Sequence, residues 1–185
     1  MRKWIIVSIA VLCAANIAFA AEKPAKAQTC VACHGQVGVS GSPEFPNLAG
    51  QNAGYLASQL TAFRDGARSN PAMAPFVTGL SDADIAALAA FYSSQARATA
   101  ASGDPSLVSA GENLSGPCKA CHGMAGVPVA NEWPVLAGQQ APYLQKQLAA
   151  FKSGERIHPL MQVMVAKLGE AEFAALAAYY SQLAP

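Results

Sequence analysis

Charge is scarce in this chain. Only 12% of its 185 residues are Asp, Glu, Lys or Arg, and the formal net charge is +1. No basic surface argues for nucleic acid, and long-range steering of a charged partner should be weak. Histidine is scarcer still, with three in the chain. No segment alternates polar and apolar residues with a period of two, which argues against sheet. After the first twenty residues no apolar run is long enough for a bilayer, so the mature chain has no transmembrane segment, leaving only peripheral association with a membrane surface.

Those twenty residues stand apart. Arg2 and Lys3 form a positive start, Ile5 to Phe19 is almost uncharged, and Ala18-Phe19-Ala20 is an A-x-A cleavage site. We read 1–20 as a signal peptide removed on export, with the mature chain starting at Ala21. An uncleaved anchor is the rival, but the run is short for one. A lipid on Cys13 is disfavoured by Leu12 before it. Cleavage takes away two positive charges and Cys13.

Four cysteines then remain, and all four fall in one pattern. Cys30-Val-Ala-Cys33-His34 and Cys118-Lys-Ala-Cys121-His122 both read C-x-x-C-H, the attachment signature of a c-type haem. The thiols add to the porphyrin vinyl groups, and the histidine is placed to bind iron. Two disulfides, or one zinc held by two C-x-x-C pairs, are the bland alternatives. Neither explains a histidine directly after both pairs. We expect two covalently bound haem c groups.

The motifs lie 88 residues apart, and the same shift aligns much of the chain. Leu48-Ala49-Gly50-Gln51 meets Leu136-Ala137-Gly138-Gln139, Tyr55-Leu56 meets Tyr143-Leu144, and Ala86 to Ala90 meets Ala174 to Ala178. A tandem duplication follows. We expect one domain over 21–97, a linker over 98–105 and a second domain over 106–185.

The fold should be all-α, two units each wrapped round its haem. The first helix of each leads into the motif, over 25–33 and 106–121. The next runs over 53–65, with Tyr55, Leu56, Gln59, Leu60 and Phe63 on one face, and over 142–153 in the repeat. The last opens at Ser81 with a capping box to Asp84 and carries the stripe Ile85, Leu88, Ala89, Tyr92. Its repeat, over 170–183, has no such cap.

One axial ligand per iron is fixed as His34 or His122. Only His158 is left, so two bis-histidine haems cannot form within the chain. Met73 and Met161 recur at the same offset, each two residues after a proline, and are the expected sixth ligands. Met164 competes with Met161, Met124 is too close to His122, and His158 reads as a surface residue. Methionine favours ferrous iron, and a filled sixth position argues for electron transfer over catalysis. Pro46 and Pro134 are candidates to offer a carbonyl to the histidines. Tyr55, Tyr143, Arg68 and Arg156 are candidates for haem propionates, with core and surface roles as alternatives.

With these residues in view the chain resembles the dihaem cytochrome c4 family, two class I cytochrome c domains in tandem. The resemblance rests on Cys30-x-x-Cys33-His34, Pro46-x-Leu48-Ala49-Gly50-Gln51, Tyr55-Leu56-x-x-Gln59-Leu60, Phe63, Arg68, Met73, the Leu80 to Tyr92 helix, and all counterparts. It implies two covalent haems with His/Met ligation, proline carbonyls behind the histidines, haems near each other, and a periplasmic shuttle. Its partners would be a quinol-oxidising complex and a terminal oxidase. The chain would then be an electron carrier and not an enzyme. Two rivals are a haem subunit of a dehydrogenase, such as one built on a sulfide-oxidising flavoprotein, and a dihaem peroxidase with an iron that opens.

Overall fold

The computed structural model describes residues 22–184; the signal peptide reading of 1–20 lies outside them. The elements are α1 (Val31–His34), α2 (Ala53–Arg64), α3 (Ala74–Val77), α4 (Asp82–Ser93), α5 (Val108–Leu114), α6 (Gly116–His122), α7 (Ala141–Ser153), α8 (Pro159–Val165) and α9 (Glu170–Gln182). No strand occurs among the described residues.

The first predicted helix needs correction in both halves. Over Ala25–Cys30 the chain is a 3-10 helix, and only α1 is α-helical. In the second half a 3-10 turn, Pro105–Leu107, leads into α5, and Ser115 separates α5 from α6. Pro117 cannot donate to the turn before it, so a new helix starts there with proline in its first turn. Two short helices, α3 and α8, were not foreseen. Each has proline in its first turn too.

The stripe on α4 is buried as expected: Ile85, Leu88, Ala89 and Tyr92 face Leu56 of α2 and Val77 of α3 in one core. Ser81 Oγ accepts from Asp84 N at 3.1 Å, and Asp84 Oδ2 accepts from Ser81 N at 3.0 Å, closing the capping box. At α9 only half of that box survives, with Glu172 Oε2 accepting from Gly169 N at 2.9 Å.

α9 is buried nearly all round. Besides Phe173, Leu176, Ala177 and Tyr180 it buries Ala175, Ala178, Tyr179 and Ser181. The reason is the longer lead-in of the second half. α5 lies across α9 so closely that a Cβ on Gly111 would sit 2.0 Å from the Ala175 carbonyl oxygen. The connecting segment is also pinned to α9, with Ala101 N donating to Ser181 O at 3.0 Å and Gly103 N to Ser181 Oγ at 3.2 Å. A side chain at Gly111 must push the two helices apart, and overpacking costs about 1–3 kcal/mol. Gly111→Val should therefore lower the stability of the second half by about that amount in denaturant melts, whereas Gly66→Val, in open space, is limited to the strain of its left-handed φ of 79°.

Candidate functional site

Each C-x-x-C-H motif ends its helix with the histidine in the last turn, and glycine follows. Gly35 and Gly123 have φ of 77° and 80° and turn the chain back so tightly that a Cβ would meet the oxygens of Val39 and Val127 at 2.0 and 2.1 Å. No other residue allows that reversal. The loop then runs to Pro46 in the first half and Pro134 in the second.

There the two halves make the same contact. His34 Nδ1 lies 2.9 Å from Pro46 O, and His122 Nδ1 lies 3.1 Å from Pro134 O. A carbonyl oxygen only accepts, so Nδ1 carries the proton in both rings. Nε2 is thereby left as a bare lone pair, the form a metal ligand needs. Both rings are buried, and burial holds their pKa below the usual 6.5, with the proline carbonyl acting the other way; His158 nearby adds to the lowering at His122. Phe45 and Trp133 pack edge-on against the rings, with centroids 6.3 and 6.1 Å away.

The four cysteines are unpaired thiols, half-buried, so the disulfide reading fails. Among the described residues no three of His, Cys, Asp and Glu come together as a zinc site needs. The hydroxyls of Tyr92 and Tyr180 are buried without a hydrogen-bond partner. Burial pushes their ionisation far up, and Cys30 and Cys118 beside them add to it. Two cysteines one turn apart, free of any disulfide, and a histidine with Nε2 free suit a covalent haem in each half.

Met73 packs partly buried against the first core. Met161 does the same in the second half, against Phe151, Val165 and Phe173. Met164 is 42% exposed and Met124 76% exposed. His158 is on the surface, where its Nδ1 accepts from Met161 N at 3.4 Å and caps α8.

The arginines are not a solvated surface pair. Arg68 stacks on Phe63 at 4.4 Å, donates to Gln59 Oε1 of its own half at 2.7 Å, and reaches Gln147 Oε1 of the other half at 2.7 Å and Tyr143 OH at 3.3 Å. Arg156 repeats this with Phe151, Gln147, Gln59 and Tyr55. Among the described residues neither is paired with a carboxylate. Two half-buried cations thus meet at the contact between the halves, a setting that suits the acidic groups of a haem.

The same contact is sealed by glutamine. Gln51 Nε2 donates to Val135 O at 2.9 Å while its Oε1 accepts from Val135 N at 2.8 Å. Gln139 does this to Asn47, at 2.9 and 2.7 Å. Asn52 Nδ2 donates to Trp133 O at 2.7 Å, and Tyr55 N to Asn131 O at 2.9 Å.

This repeated geometry has counterparts. Residues 21–91 match the family described as cytochrome C oxidase, cbb3-type, subunit III, and residues 108–184 match the cytochrome c family. Cytochrome c4 of Pseudomonas aeruginosa is 39% identical, over 89% of this chain and 88% of that one. The chain belongs to the cytochrome c4 family. The crystal structure of reduced recombinant cytochrome c4 from Pseudomonas stutzeri superposes with a TM-score of 0.81 at 35% identity, covering 86% of this chain and 95% of that one. A thiosulfate dehydrogenase electron acceptor from Stutzerimonas stutzeri is 38% identical, over 85% of this chain and 80% of its own length. As a cytochrome c4 the chain holds two covalently bound haem c groups and transfers electrons. No helix among the described residues is long and apolar enough to cross a membrane.

Proposed function

We propose that this cytochrome c4 is a periplasmic carrier, exported by the signal peptide 1–20, that takes electrons from a quinol-oxidising membrane complex and delivers them to a terminal oxidase. In this reading the domains are 21–97 and 106–185, joined by 98–105. Cys30, Cys33, Cys118 and Cys121 form the thioethers. His34 with Met73, and His122 with Met161, are the axial pairs. The haems supply one-electron ferrous/ferric couples. The chain supplies fixed ligands, so that little has to move when the charge changes. The observation that carries the reading is the His Nδ1–proline carbonyl contact, made in both halves, with a part-buried methionine packed into the core of each half. With both axial positions filled in this way, the site would suit electron transfer and leave no place for a substrate on iron.

The test is the visible spectrum of the purified protein with a haem count. Two haems per chain, low-spin and indifferent to carbon monoxide when reduced, are expected, with a weak far-red band in the oxidised form. A carbon monoxide shift in the native protein would favour an opening iron and a peroxidase.

The likeness to a thiosulfate dehydrogenase electron acceptor favours a second reading, in which the donor is a soluble dehydrogenase. Co-purification with a larger protein in fixed ratio, and reduction by it ahead of membranes, would support this reading over the first.

A further inference from the structure

We propose that Gln51 and Gln139 are positioning residues that each act across the domain contact, Gln139 on the His34 ring and Gln51 on the His122 ring. The inference rests on the reading of these histidines as axial ligands.

The decisive feature is a single peptide unit. The C=O of Pro46 and the N–H of Asn47 belong to the same amide. The C=O accepts from His34 Nδ1 at 2.9 Å, and the N–H donates to Gln139 Oε1 at 2.7 Å. Amide resonance joins the two ends. An acceptor on the N–H draws electron density toward the oxygen, and hydrogen bonds in such a chain strengthen one another in a low dielectric. Gln139 thus makes Pro46 O a better acceptor. The His34 ring then gains anionic character, and Nε2 becomes a stronger donor.

The second half repeats this unit by unit. Pro134 C=O accepts from His122 at 3.1 Å, and Val135 N–H donates to Gln51 Oε1 at 2.8 Å. Each glutamine also donates through Nε2 to the carbonyl of the same residue, Asn47 or Val135, at 2.9 Å. The carboxamide so pairs with both backbone groups of one residue, which fixes the tilt of the amide that meets the histidine. The glutamines are 6% exposed and the residues they grip are 7% and 4% exposed, so water does not compete. Apolar side chains would close the contact but leave the buried N–H and C=O of Asn47 and Val135 unpaired, so the glutamines satisfy these groups as well. The polar pair at this one amide, twice, is what a relay needs.

The wiring is crossed, and that gives the test. It uses the full-length holoprotein. The wild type is first checked for two low-spin haems that ignore carbon monoxide; failure there removes the ligand reading. Gln139→Met keeps the length and removes the acceptor. In the ferrous protein the His34 ring N–H proton resonance should move upfield while that of His122 stays. An NMR-followed redox titration should show the first-domain couple moving three- to tenfold toward ferrous, ~30–60 mV for one electron, and the second-domain couple unchanged. Gln139→Glu, held protonated by burial, keeps the acceptor for Asn47 N–H and a donor for Asn47 O, so the His34 proton should stay near its wild-type position. Gln51→Met should mirror all this at His122. An effect at His122 from Gln139, equal effects in both domains, or a His34 proton unmoved in Gln139→Met would overturn the relay. Protection of the Val135 amide, held by Gln51, reports whether the contact stays closed; if Gln139→Met opens it, Gln139→Glu decides, a His34 proton at its wild-type position supporting the relay and one moved as far upfield as in Gln139→Met overturning it.

Discussion

Met161→Ala should turn one haem of the two into a carbon monoxide-binding centre. In the proposed ligation, with the thioether sulfur gone, the second iron would keep only His122 and an open position. The ferrous difference spectrum should reach about half the amplitude of a fully five-coordinate dihaem protein, and the far-red band should halve. The potential of that haem should fall, since methionine ligation raises it. Met164→Ala, one turn further along α8, should change neither band. The contrast follows from packing. Met161 is part-buried against the cluster of Phe151, Val165 and Phe173, whereas Met164 is 42% exposed and outside that cluster. Met73→Ala should reproduce the effect in the first domain. If Met164→Ala opens the iron and Met161→Ala does not, the ligand assignment in the second domain is wrong.

Cys30→Ser combined with Cys33→Ser should lower the haem count from two to one and unfold the first domain with it. Units of roughly 80 residues are only marginally stable by core burial alone, so a covalent haem adds a large share of the core. The core of this one is a single cluster round α4, with Cys30 and Met73 at its edge. Its lead-in is also the weaker one, a 3-10 turn and four residues of α-helix where the second domain has α5 laid on α9. Circular dichroism should show loss of the helices α2 to α4, and the pyridine haemochrome should give one haem per chain. The equivalent change at Cys118 and Cys121 should leave more helix behind. A first domain that keeps its helicity without haem would show that its core is self-sufficient.

Much of this arrangement was legible in the sequence because it was written twice. The shift of 88 residues singled out Met73 and Met161 from the other methionines, and Pro46 and Pro134 as partners for the histidines. Proline carbonyls are informative at such places, since the fixed ring directs the chain. The interface was not legible. The repeat says that Arg68 and Arg156 are equivalent, but equivalence does not reveal that they meet. Their contacts span 75 to 101 residues, and no local periodicity encodes such distances. Gln51 and Gln139 were seen only as matching letters in a motif. The short helices α3 and α8 escaped because a proline within two residues of the methionine reads as a loop, although proline in a first helical turn is a permitted start. The 3-10 character of Ala25–Cys30 escaped for a related reason: composition distinguishes helix from coil better than it distinguishes two kinds of helix.

The contact between the domains pairs Gln51 with Val135 and Asn47 with Gln139. That is the pattern of a homodimer whose subunits have been fused. In a true homodimer every substitution strikes both subunits at once, and the two redox centres must stay identical. Fusion releases that constraint while the tether keeps the partners at high effective concentration. Phe45 beside one histidine and Trp133 beside the other already differ. One polypeptide of this kind can therefore evolve a downhill step inside itself, receiving at one end and delivering at the other, without giving up the surface that holds its halves together.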